Sequence, residues 1–367
     1  MDAFLKAEEE QAAYLREIAE RNQRILRISE QIGNLSIVLA GRPYHADPLI
    51  QHKVSNMIAE MGINVLTEDI VRGEEVDIKD THFLAQWSYP NRIMRAAKWC
   101  TELGDDVQFV QMTSFGCGPD AFIVDEVRDL LLRNNRAYTL LKLDDINNVG
   151  SMKLRVRSLV ESLKIANEYS EKRPQKGFIT TPVYNTNYRH RKIIIPFFTS
   201  FISPLIPAVL RVAGYDMECL PMSDEQSSEW GLKYANNEVC YPATLIIGDI
   251  IKAFKERRYN PSEVAVGITQ TGGQCRASNY LPMLKKALVD AGYTDTPVIS
   301  LTFGDNLDNN QPALKINWAK MLPIALRAVL YSDCINKMYH AAVVREKEFG
   351  LADDLRTIYL QTGAELI

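Results

Sequence analysis

A strand-forming run, a turn, a helical stretch, a glycine and a second strand occur in that order twice in this chain, and no other feature restricts its fold as much. The first copy reads as a strand over Ser36–Ala40, the turn Gly41-Arg42-Pro43-Tyr44-His45, a helix to Met61 and a strand over 63–67. The second reads as a strand over 192–197, a turn near Thr199 and Ser200, a helix to Val212 and a strand over 216–220. Gly62 and Gly214 each part helix from strand and stand 152 positions apart (214 − 62). The β-rich runs 107–112 and 264–269 add a strand to each copy, and 93–100 reads as a helix. Strands alternating with helices at this spacing build parallel sheets with right-handed crossovers. The expected class is therefore α/β, with two duplicated flavodoxin- or Rossmann-like parallel-sheet domains.

Around that pair the chain carries helices. Residues 1–32 are rich in Glu, Arg, Ala and Leu at helical spacing, with no Gly or Pro before Gly33, and read as one long helix. The first α/β domain is placed at 33–170 and the second at 188–312. The polar stretch Glu171-Lys172-Arg173-Pro174-Gln175-Lys176-Gly177 lies in the linker. A C-terminal helical segment, 313–367, continues an apolar helical period past Trp318.

The repeat also aligns chemistry. Ser88-Tyr89-Pro90 and Cys240-Tyr241-Pro242 stand 152 positions apart (240 − 88), each before a helical run. Cys117, in Ser114-Phe115-Gly116-Cys117-Gly118, and Cys275, in Thr271-Gly272-Gly273-Gln274-Cys275-Arg276, each follow a strand and precede a helix, 158 positions apart (275 − 117). A thiol at such a turn sits beside free backbone N–H groups and a positive helix end, which favour its thiolate form and make it a good metal ligand. Three thiols and the Ser88 hydroxyl thus occupy four related positions. Brought together, they would give a [4Fe-4S] cluster three cysteine ligands and one iron to be met by Ser88, water or a substrate atom. Zinc is the competing metal, but the short C-x₂₋₄-C pairs of structural zinc sites are absent. Cys100, Cys219 and Cys334 lack the turn setting and are expected to pack as small hydrophobic residues. The other reading of Ser88 is a helix N-cap or turn residue.

Composition narrows the setting. A formal charge of −4 over 367 residues gives no basic field, which argues against nucleic acid or an anionic membrane as partner of the whole surface. No apolar run reaches the length of a membrane span and the N-terminus is charged, so a cytoplasmic protein is expected. Six cysteines without disulfide-type spacing suit reduced thiols.

The motifs Gly41 to Pro48, Gln86-Trp87-Ser88-Tyr89-Pro90-Asn91-Arg92, Ser114 to Gly118, Asn236 to Pro242 and Thr269 to Ala277 resemble the C-terminal region of the large acyl-CoA dehydratase activase-related proteins. That family is similar in fold and cysteine placement to 2-hydroxyacyl-CoA dehydratase subunits and double-cubane cluster proteins. The resemblance runs from about Gly33 to Tyr331. It implies the iron–sulfur component of an anaerobic electron-transfer system, reduced at low potential by an ATP-hydrolysing activase. An upstream cysteine-bearing domain or subunit would be a further partner, within a homo- or hetero-oligomer. The chain lacks a G-x-x-x-x-G-K-[ST] loop, so the ATPase would be a separate component. Double-cubane proteins use more cysteine ligands than the three motif thiols, which favours a single cubane.

Further candidates surround the cysteines. Gly116, Gly118, Gly272 and Gly273 would let backbone amides approach the sulfides, with turn geometry as the alternative. His45 is the candidate for proton transfer, or else a turn histidine bonded to Asp47 or to backbone. Arg42 is assigned to an anionic substrate group or to balancing the cluster charge, or else to a surface ion pair. Arg276 is assigned to cluster sulfur or a CoA phosphate. His52, His82, His190 and His340 receive no role. Three functional classes follow: a reductase or dehydratase component acting on a small molecule such as an acyl-CoA, an electron relay without a substrate site, or a metal-free acyl-CoA-binding scaffold.

Overall fold

The computed structural model describes the chain except residues 83, 84, 86, 115–117, 144–148, 169–173, 271–275 and 302–308 and the side chains of 166–168 and 276. The chain forms two compact units, Met1–Phe178 and Ile179–Ile367.

In the first unit, α1 (Asp2–Ile32) ends on Gly33 in the left-handed conformation. It buries only Ala19, Asn22, Leu26 and Ser29, all in its C-terminal half. Asn22 fixes it to the sheet, its amide oxygen accepting the Thr67 N–H at 2.7 Å. There follow β1 (Ser36–Ala40), α2 (Val54–Ala59), β2 (Asn64–Thr67), α3 (Ser88–Thr101), β3 (Val107–Thr113), α4 (Pro119–Arg133), β4 (Thr139–Lys142) and α5 (Val149–Glu168). The strand order is β2-β1-β3-β4, and every pair is parallel. β1 and β3 are buried at every residue, as expected of a sheet covered on both faces. One layer of core gathers Val38, Phe109, Met94 and Leu130, the other Ile37, Val110, Ile58 and Val156.

The second unit repeats the design with β5 (Lys192–Ile195), α6 (Ile206–Val212), β6 (Met217–Cys219), α7 (Glu225–Tyr234), α8 (Tyr241–Lys255), β7 (Val264–Thr269), α9 (Tyr280–Asp290), β8 (Val298–Leu301), α10 (Trp318–Val343) and α11 (Leu351–Leu366). Its sheet, β6-β5-β7-β8, is again all parallel. The duplicated α/β fold is thus present, and Gly62 and Gly214 both adopt positive φ, 79° and 83°, as helix-terminating glycines do.

Three local readings are corrected. The strand expected over 192–197 stops at Ile195, where Pro196 removes a donor from the ladder. The helix expected between His45 and Met61 shrinks to α2, because Pro48 and the left-handed His52 and Lys53 interrupt it. The helix leading to Val212 begins only at Ile206, with Pro207 in its first turn.

The second unit also inserts α7, absent from the reading above. Asp224 starts it by accepting the Ser227 N–H at 3.0 Å. It packs on α8 so closely that a methyl group at Gly248 would overlap the Ser227 carbonyl.

Candidate functional site

The best-defined polar cluster lies at the C-terminal ends of β1 and β3, where the strand order reverses and open α/β sheets place ligands. Pro43 and a short 3₁₀ turn, Pro43–Ala46, bring His45 back over the end of β1. His45 is wholly buried. Its Nδ1 accepts the Arg42 backbone N–H at 3.1 Å, so the ring proton sits on Nε2, which donates to Ser114 Oγ at 2.7 Å. Burial, reinforced by the Arg42 guanidinium, lowers the His45 pKa to about 4, and the ring is neutral at pH 7. Gly41 is required here, since a Cβ would stand 2.5 Å from His45 Nδ1.

Arg42 donates from Nε to Asp120 Oδ2 at 2.8 Å. Its guanidinium carbon lies 5.9 Å from the Tyr44 ring and 5.7 Å from the Tyr89 ring. Asp120 is buried near the start of α4 and also accepts from Thr113 Oγ1 at 3.3 Å, while its Oδ1 has no hydrogen-bond partner among the described residues. Burial raises the Asp120 pKa against the opposing pull of Arg42. Gly118 precedes α4 with φ 104°, and a Cβ there would press on Arg42 Nη2 at 3.2 Å.

Behind this cluster stands Glu68, buried just after β2 and bonded to the Gly41 backbone. Desolvation lifts its pKa to about 7, aided by Asp69 and opposed by Arg92. The Arg92 guanidinium lies 3.7 Å from its carboxylate.

Arg42, His45 and Gly118 therefore come together. His45 bonds backbone and Ser114 in place of Asp47, and Arg42 forms a part-buried ion pair in place of a surface one. Ser88 is the first residue of α3 and is exposed; the N-cap is Trp87, without a side-chain cap bond. Its neighbour Tyr89 faces Arg42.

In the second unit, Cys240 is the N-cap of α8, half-buried, with its Sγ 2.8 Å from Tyr280 Oη at the start of α9. This contact ties the Cys240 turn to the helix that follows the Cys275 motif. Cys117, Cys275, Gly116, Gly272 and Gly273 lie outside the described residues, as does the Arg276 side chain, while the Arg276 backbone opens a short 3₁₀ turn. Among the described residues, no three metal-ligating side chains converge.

Cys100 packs in the core as expected, its thiol pKa pushed up to about 12 by burial. Cys219 is half-buried in β6. Cys334 is exposed on α10, contrary to expectation, because its position turns away from the face that buries Met321, Ala328, Ser332 and Ile335.

Asp120, Glu68 and Tyr280 had not been singled out in the sequence. The Gly118-Pro119-Asp120 helix start was the one available signal for Asp120. The pairing of residues 42 and 120 leaves no local pattern.

No described helix is long and apolar enough to cross a membrane. No curated protein matches the chain. The glycosyltransferase SnogD from Streptomyces nogalater aligns at 11% identity over 76% of this chain and 83% of its own, with a TM-score of 0.17, too low to inform either fold or function. Residues 1–71 match the family model described as a CoA enzyme activase uncharacterised domain, a span that holds α1, Arg42, His45 and Glu68.

Proposed function

We propose that the chain is the iron–sulfur component of an ATP-dependent, activase-driven electron-transfer system and that it reduces or dehydrates a small substrate. The observation that carries this reading is the placement of Ser88 and Cys240 at equivalent helix starts of a duplicated fold, one a hydroxyl and one a thiol. The activase-related match over residues 1–71 supports the setting.

The donor chemistry at Cys240 fits a cluster ligand: a half-buried thiol at a helix N-terminus, beside a phenol able to donate to a thiolate. Cys117, Cys240 and Cys275 would hold a [4Fe-4S] cluster, the other two being assigned from the repeat and the resemblance. Such a cluster, when bound, supplies low-potential one-electron chemistry.

The chain's own residues would then orient substrate and manage protons. His45 keeps its proton on Nε2 and donates it as a hydrogen bond to Ser114 Oγ, which orients that buried hydroxyl. Asp120 fixes Arg42 through Nε, aligning its planar cation for an anionic group of the substrate. Tyr280 holds the Cys240 side chain in place.

Mixing the anaerobically reconstituted chain with an ATP-hydrolysing activase and a reductant tests this reading. ATP-dependent bleaching of the visible iron–sulfur absorbance is expected, whereas a cluster-loaded chain indifferent to ATP would exclude the activase-driven role.

A further inference from the structure

The second unit contains a cavity of about 260 Å³ at the C-terminal ends of three strands, with Ile195 closing β5, Thr269 closing β7 and Leu301 closing β8. α6 forms one wall through Ile206 and Leu210, and α10 the other through Met321. Among the described lining residues, Thr269 brings the only hydroxyl and none carries a charge. Phe198 and Trp318, each about two-fifths exposed, flank it. This is the sheet edge at which open α/β folds bind ligands.

The lining decides the ligand's chemistry. Among the described lining residues only the Thr269 hydroxyl and the Trp318 indole N–H can pair with polar groups, so most hydrogen-bonding groups of a polar molecule seated here would lack partners. Ordered water needs two to four polar partners, and the described lining holds one hydroxyl and one indole N–H among thirteen apolar side chains. An apolar cavity of about 150 Å³ holds a benzene ring, so one of 260 Å³ takes about ten carbons. An α-helix about 10 Å across is too wide for a space of this size, which argues for a slender chain over a protein segment.

The cavity is not a general consequence of the fold. In the first unit the turn after β1 carries Arg42 and His45 in a polar network, whereas the turn after β5 carries Pro196, Phe197 and Phe198.

We propose that the second unit binds an aliphatic chain about ten carbons long in this cavity, as the apolar part of a fatty acid or of its ester or thioester. The described lining lies wholly within the second unit and the titrations below need no cluster, so their outcome is distinct from that of the iron–sulfur reading.

Calorimetric titration of the full chain with hexanoate, octanoate, decanoate and tetradecanoate tests it. Affinity should rise about fourfold per added methylene and level off near ten carbons. Decanoyl-CoA and monodecanoyl glycerol at the same chain length reveal which head group the tightest ligand carries. Ala325→Phe, which fills the cavity from α10, should weaken decanoate binding at least about tenfold. Ile316→Ala, which enlarges the cavity, should move the plateau to a longer chain. Circular dichroism checks that each variant folds, and the enlarging variant decides alone if the filling one does not. Absence of binding by every probe, affinity indifferent to chain length, or a plateau unmoved in Ile316→Ala would overturn the proposal.

Discussion

In the first unit the turn after β1 folds Arg42 and His45 back onto the start of α4 and the end of β3. In the second, the corresponding turn after β5 borders an apolar cavity, and the unit's described thiol chemistry lies at Cys240, on the far side of the inserted helix α7 in sequence. The strand orders are the same. The comparison teaches that the duplicated backbone fixes where chemistry can be placed, while side chains at matched positions divide it: a polar, charge-bearing site in one unit, and a thiol with an apolar cavity in the other.

The largest effect expected in breaking this division is at the ion pair of the first unit. Arg42→Met leaves the Asp120 carboxylate buried and unpaired, which should cost about 3 kcal/mol. Urea unfolding measures it, and adding Asp120→Asn should recover part of the loss. An unchanged midpoint would mean that the pair does not anchor this site.

Next comes Gly248→Ala in the second unit, which drives a methyl group into the α7–α8 contact and should cost about 2 kcal/mol. The matching position in α3 (248 − 152) is the buried Ala96, where a methyl group is already packed, so Ala96→Gly should cost only about 1 kcal/mol through lost helix propensity. Equal costs at the two positions would contradict the packing difference between the units.

The two units should also respond to pH in different windows. His45, with its pKa lowered from 6.5 to about 4, disfavours the folded state as pH falls through that range. Glu68, raised from 4.5 to about 7, acts oppositely: the folded state binds the extra proton, so its contribution weakens as pH rises from 4.5 to 7. The two partly cancel, and Glu68→Gln should expose a rise in stability of about 2 kcal/mol between pH 4 and 6.5. In the second unit, desolvation lowers the Lys285 pKa from 10.5 to about 8, so stability should climb between pH 8 and 10.5. Lys285→Met should flatten that alkaline limb alone. A variant that flattened both limbs would sink the separation.

The smallest effect is at the cysteines outside the motifs. Cys334→Ser, on the exposed face of α10, should change stability by less than about 0.5 kcal/mol, and Cys334 should be alkylated in the native protein long before buried Cys100.

Much of the backbone was legible because its signals are local. The apolar run of β1, the positive-φ glycines 62 and 214, and the Ser88 and Cys240 helix starts all follow from short windows of sequence. Proline position accounts for the ends that were misplaced, at Pro196 and near Pro207. Helix α7 had a readable start in Asp224, but its packing depends on Gly231 and Gly248, whose meaning appears only when the two helices meet. The site was half legible: Arg42 and His45 stand in one turn, whereas Asp120, Ser114 and Glu68 reach them through the sheet, and no spacing in the chain announces those contacts.

The most direct test of the central claim is anaerobic reconstitution followed by iron and sulfide analysis and electron paramagnetic resonance of the reduced protein, run beside Cys117→Ala, Cys240→Ala and Cys275→Ala. The account predicts about four irons per chain, as in a single cubane, with the signal lost or altered in each variant. A stable, folded chain that stays metal-free, or a full signal surviving all three substitutions, would contradict it.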